Sequence, residues 1–343
     1  MTATPTAVVS DSFAAVPLLG APYDLLARLV GQWSDGLGWV GETLGIGMLD
    51  YVFMHHAFLV GGLIAVMAPL IGTFLVHRQL ALIGDALAHT AFAGVAVGLF
   101  VNSLLGTGIS PYVTAIVVAV IAALAIELIS EVTDAYNDVS MAIVLSTGFA
   151  LGAVLISVNT GGLAVGINQY LFGNLATVSR ENAVLLVVLF AIVSLVVTVT
   201  YKQLLYVTFD ETAARVAGIN VPWYNRLMTT LTALVVVGAM QIMGVILVAA
   251  MLVVPVAAAA QVARGFREAL LASVVLAEIA VIVGITLSYR YEATAGGTIV
   301  LVAVAVYIFM VLAGKVQSAR SVDEAAPTDA AVRDGPVGEP SDD

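Results

Sequence analysis

The chain has 343 residues, of which 61% are hydrophobic and only 10% charged, with a mean hydropathy of +1.07. A soluble domain carries about a quarter charged residues, so this composition excludes a water-soluble globular protein, a nucleic-acid binder and a disordered chain. The formal charge is −11, and cysteine is absent, which rules out disulfide frameworks, cysteine-based zinc sites and thiol nucleophiles.

In chain order, residues 1–53 form an N-terminal extension. Residues 1–20 have no basic start and hold Asp11 and two prolines, so no signal peptide is expected. Residues 25–40 carry Trp33 and Trp39 among glycines, with Arg28 and Asp35 beside them and Glu42 just beyond. That mixture predicts an interfacial helix with aromatic anchors rather than a crossing.

A crossing helix needs about 20 apolar residues. Runs of that kind lie at 57–76, 80–101, 111–130, 139–158, 182–201, 226–243, 245–263, 268–288 and 297–314. The expected fold is therefore an all-α polytopic membrane protein with about nine transmembrane helices. No charge interrupts the chain between Arg226 and Arg264, so a turn is placed at Gly244; eight crossings with one bent helix is the alternative. With nine, Arg78, Lys202, Arg215, Arg226, Arg264, Arg267, Lys315 and Arg320 share one side, and Arg28, Arg180 and Arg290 the other. The Lys/Arg bias of short loops then puts the C-terminus in the cytoplasm and the N-terminus outside. Residues 54–316 form the membrane domain and 317–343 an acidic, disordered cytoplasmic tail. Acidic termini with Lys202 and Lys315 as the only lysines suggest a salt-adapted organism; an ordinary acidic tail accounts for them nearly as well.

Ionisable groups inside a span are costly and are functional candidates. Asp85 and His89, in the run Gly84-Asp85-Ala86-Leu87-Ala88-His89, stand four residues apart and share one helix face. With Leu80 as the helix start, His89 falls roughly 14 Å in, near the midplane where transporters keep substrate sites. Carboxylate plus imidazole suits zinc or manganese, and two ligands make a site weak enough for passage. A hydrogen-bonded pair that pins two helices is the alternative. Glu278, in mid-span, could complete a metal site or pair with a base. His55 and His56, at the outer mouth of the first span, could collect cations.

The run from Phe209 to Asn220 reads as a short helix. Asp210 caps its first turn, Glu211 suits its positive end, Arg215 follows one turn on, and Ala217-Gly218 closes it before Pro222. A helix so short needs something to dock against. No phosphate-binding G-x-x-x-x-G-K-[ST] run, H-E-x-x-H or G-x-S-x-G occurs, so neither ATP binding by this chain nor a membrane-embedded hydrolase is expected.

Four stretches, in one order, carry a family resemblance: Arg78 to Gly94 with its Gly-Asp and Ala-His, Tyr170-Leu171-Phe172-Gly173, Phe209 to Asn220, and Gly244 to Ala259 with Pro255. Together they resemble the integral-membrane permease of zinc/manganese ABC transporters, over about residues 54–315. The loop from Tyr291 to Gly296 departs from it, with Glu292 and Thr294 where relatives often have Asp and Pro. The resemblance implies a homodimer, two copies of a separate ATPase that binds the ATP, and an extracellular metal-binding protein. It implies no resident cofactor: Zn2+ or Mn2+ is cargo, imported by alternating access past Asp85 and His89. Phe209, Asp210, Glu211, Arg215, Ala217 and Gly218 would couple the membrane domain to the ATPase. An ion-gradient-coupled carrier using Asp85/His89 as a proton relay is the alternative function.

Overall fold

The computed structural model describes residues 17–106, 108–133, 136–158, 170–174 and 178–325. The described residues form helices α1 (Pro17–Leu44), α2 (Val52–His77), α3 (Ile83–Leu105), α4 (Pro111–Thr133), α5 (Asn137–Val158), α6 (Arg180–Phe209), α7 (Glu211–Val216), α8 (Val221–Met243), α9 (Val245–Ala259), α10 (Phe266–Tyr291) and α11 (Ala295–Ala325), with a 3-10 turn at Gly47–Asp50. Seven of these, α2 to α6, α10 and α11, are long and apolar enough to cross a membrane one by one. Helices α8 and α9 meet that measure only together, as a pair bent by 119°. Seven to eight candidate spans thus stand where the sequence predicts nine or eight.

The difference lies at Gly244, where the sequence places the turn. Gly244 has φ 74° and ψ 162°, a conformation open to glycine without steric cost. Beyond it, α9 has 15 residues, a rise of about 22 Å, short of a full crossing. It runs back alongside α11: the carbonyl of Met243 lies against Gly296 near the start of α11, and that of Gln261 against Gly314. Its far end leads into Phe266, whose ring packs 5.8 Å from Phe209, two residues before α7 begins. Helix α9 therefore returns to the end of the bundle from which α8 departed.

The helices differ sharply in burial, which their composition hides. The apolar window of α2 is 67% buried inside the molecule, against 28% for α5 and 22% for α11. Helix α2 is the hub, packed by α6, α8, α9 and α10, while α3 is clasped by α4, α5, α8 and α9. The small residues of α3 lie in that contact: Gly84, Ala86, Ala88, Ala91, Ala93 and Gly94 are all buried, which permits close helix approach.

Helix α1 is longer than the predicted 25–40, and it packs on α2 and α6. At 100° per residue it has three faces. Leu26, Val30, Ser34 and Gly41 turn inward; Asp24, Arg28, Asp35 and Glu42 form a charged stripe; Leu25, Leu29 and Trp33 form an exposed apolar one. At the other terminus α11 continues to Ala325, into the region read as tail; residues 326–343 lie outside the described set.

Candidate functional site

Asp85 sits in the first turn of α3 and His89 one turn later, with His89 Nε2 3.7 Å from Asp85 Oδ1. The helix begins at Ile83 rather than Leu80, because Leu80 to Leu82 are spent in a turn closed by the Ile83 amide donating to the Leu80 carbonyl at 3.1 Å. His89 is thus about 9 Å along a helix whose centre falls at Gly94, about 8 Å further on. The pair lies nearer one end than the predicted midplane.

The side chains of Asp85 and His89 are 39% and 21% exposed, although the rest of their turns is buried. One flank of the imidazole meets Phe149 of α5 edge-on, with ring centroids 5.4 Å apart. Among the described residues no group of three or more His, Cys, Asp or Glu could hold a metal. Glu278 in particular is not brought to the pair. It lies on α10 against Gly62 of α2, with no ion pair or hydrogen bond to a described residue.

His55 and His56 are not at an open mouth. His55 is 4% exposed, and both ring nitrogens are engaged, Nε2 with the Leu49 carbonyl at 2.7 Å and Nδ1 with Ser34 Oγ at 2.8 Å. A carbonyl accepts only, so Nε2 carries the proton and Nδ1 accepts from the serine. Trp33 Nε1 donates to the His55 carbonyl at 3.3 Å. His56 is also buried, beside Val178. At the same end Arg180 donates to the Ala27 carbonyl, so α1 is fastened to the starts of both α2 and α6.

The predicted short helix is α7. Asp210 accepts the Ala213 amide at 2.8 Å, as its capping role requires. Gly218 takes φ 81°, and the Ile219 amide returns to the Ala214 carbonyl at 3.0 Å, closing the helix with a left-handed residue. The underside docks through Ala214 onto Val207 and Val221, while Arg215, Ala217 and Gly218 stay exposed. Phe209 joins a ring cluster that sequence reading did not anticipate, 6.0 Å from His77 and 5.8 Å from Phe266, with Phe74 5.0 Å from Phe266. Phe266 stood just outside a predicted span and His77 just past one, so neither carried a signal.

Polar residues knit this end. Arg78 bonds Glu211 at 2.9 Å and Asn225 at 2.7 Å, and Arg226 bonds Glu131 at 2.6 Å. At the opposite end the Tyr170–Gly173 run meets Gly244. A Cβ at Gly244 would strike the Leu171 carbonyl, and one at Gly173, where φ is 72°, that of Ile242. Two of the four resembling stretches thus interlock, and only glycine fits either side.

A bundle of apolar helices, an acid–imidazole pair on a span and a capped helix docked at one end describe a polytopic helical membrane protein. The comparisons make the family explicit: the chain belongs to the ABC 3 transport family, whose model matches residues 50–314. It is 32% identical over 274 residues, 80% of this chain and all of the other, to a "Probable metal transport system membrane protein" of Treponema pallidum. It is 33% identical to the "Manganese transport system membrane protein MntC" of Halalkalibacterium halodurans, over 75% of this chain and 85% of that one. A solved structure described as PsaBC from Streptococcus pneumoniae in complex with Fab superposes with a TM-score of 0.69 at 30% identity, covering 79% of this chain and 95% of that chain. The chain is a metal ABC transporter permease, as its four stretches imply. Helix α1 lies outside the matched residues.

Proposed function

We propose that this chain imports manganese, ahead of zinc, as a homodimer driven by two copies of a separate ATPase and supplied by an extracellular metal-binding protein. The relatives' names favour manganese, and an oxygen and an imidazole ligand suit either ion. The carrying observation is the half-exposed Asp85 on an apolar helix. A carboxylate turned to lipid is costly, and among the described residues the chain brings only these two ligands together. A second copy facing this flank would remove Asp85 from lipid and add its own pair, giving the ion transient ligands on a route between the copies. His55, with both nitrogens committed, holds α1 and is not a ligand.

In this reading the end with Arg78, Arg226 and α7 is cytoplasmic, α8 and α9 pass outward and back, and the C-terminus is inside. The stripe of Leu25, Leu29 and Trp33 rests in the outer interface, with the charged stripe toward water. Alternating access follows when ATPase closure displaces α7. The proton-relay carrier finds no support in a family whose members are permeases of ABC systems. The test is manganese uptake by proteoliposomes holding the full chain with or without the ATPase. Uptake only with ATPase and ATP is expected; uptake driven by an ion gradient without ATPase would overturn the proposal.

A further inference from the structure

The turn joining α2 to α3 carries a buried cation. Arg78 caps the end of α2, yet its side chain is only 8% exposed. Its Nη2 donates both to Glu211 Oε1, at 2.9 Å, and to Asn225 Oδ1, at 2.7 Å. Glu211 opens α7, and Asn225 lies in the second turn of α8. One guanidinium nitrogen therefore ties the α2–α3 turn to the helices on both sides of the Ala217–Asn220 turn. Glu211 Oε2 also reaches Arg215, at 3.7 Å, so the carboxylate is shared between an inward and an outward arginine. A cavity of about 240 Å³ opens beside this junction, lined among others by Arg78, Ile83, Glu127, Glu131 and Glu211.

The chain between Arg78 and Asp85 has little slack. The Leu80 amide donates to the Leu75 carbonyl at 2.9 Å, Ile83 to Leu80 at 3.1 Å, and Ala86 to Leu82 at 3.1 Å. Gln79 holds φ 60°, which non-glycine residues adopt rarely and keep only where the surrounding structure holds them. These hydrogen bonds join the backbone that carries Arg78 to Ile83 and to the first turn of α3, where Asp85 stands.

We propose that Arg78 is a positioning residue that links α7 to the Asp85/His89 pair. Displacement of α7 moves Glu211, Glu211 draws Arg78, and Arg78 tilts the start of α3, changing how Asp85 and His89 present themselves to the ion. This rests on reading the chain as a permease with a separate ATPase. A residue that merely pinned the bundle end would affect folded yield but not the number of ions moved per ATP.

The experiment uses the full chain with its ATPase in proteoliposomes, measuring manganese uptake and ATP hydrolysis on the same vesicles. Arg78→Gln is expected to lower uptake per ATP tenfold or more while keeping the ATPase bound. Arg78→Lys should recover part of the ratio, Glu211→Gln should lower it less, and the double Gln variant should be no worse than Arg78→Gln alone. A wild-type ratio in Arg78→Gln, or additive losses in the double variant, would overturn the proposal. If Arg78→Gln fails to assemble, Glu211→Gln decides: a lowered ratio supports the link and an unchanged ratio overturns it. Wild-type uptake that ignores ATP would instead overturn the permease reading, and this proposal with it.

Discussion

Asp85 and His55 show how differently two intramembrane polar residues can be placed. His55 is enclosed with both nitrogens bonded; Asp85 keeps an open flank. Replacing His55 with Ala orphans the Leu49 carbonyl and Ser34 hydroxyl and should cost about 2 kcal/mol, seen as a lowered melting temperature in detergent. Uptake per folded molecule should stay unchanged. A cation-collecting role predicts the reverse, a higher manganese concentration for half-maximal uptake at unaltered stability. The sequence offered the type and spacing of Asp85 and His89, because i and i+4 on one helix is geometry any helix enforces. It could not separate His55 from a ligand, since its partners Ser34 and Leu49 belong to an extension with no spacing signal. Arg78 was visible as one loop charge among several and as the start of a resembling stretch; its burial comes from its contacts with Glu211 of α7 and Asn225 of α8.

Among the elements, α7 was legible because capping is local: Asp210, Gly218 and Pro222 write its start and stop within a few residues. Asp210→Ala should cost about 1 kcal/mol of helix stability and weaken retention of the ATPase on a column carrying the full chain; undiminished retention would separate the cap from docking. The bend between α8 and α9 was legible as a position but not as an angle. Glycine at 244 marks where the backbone can turn; the Tyr170–Gly173 run that occupies the bend is distant in sequence. Gly244→Ala combines an alanine in a backbone region that is essentially reserved for glycine, about 1–3 kcal/mol, with a methyl against the Leu171 carbonyl, about 1–3 kcal/mol more. The folded yield and melting temperature should both fall. A fully stable Gly244→Ala would mean that the bend and its glycine contact are not as described.

For the whole molecule, helix count and burial were the least legible features. Spans apolar on every side show no preferred face, so α2 as hub and α11 as margin follow from packing alone. The Lys/Arg bias nonetheless predicts an orientation, and the lack of cysteine makes it directly measurable with single introduced thiols. In intact cells, Glu292→Cys should react with a membrane-impermeant maleimide, and Thr212→Cys only after permeabilisation. The opposite pattern would invert the molecule and detach α7 from any cytoplasmic ATPase. The route between two copies of α3 is the claim on which the transport account turns. Its most direct measurement is ATP-driven manganese uptake by the reconstituted complex carrying Asp85→Ala or His89→Ala, with ATPase retention and melting temperature checked alongside. Uptake should fall at least about tenfold, the lower end of what even outer-shell changes do to metal sites, while assembly persists. Undiminished uptake from both assembled variants would contradict passage of the ion along this pair.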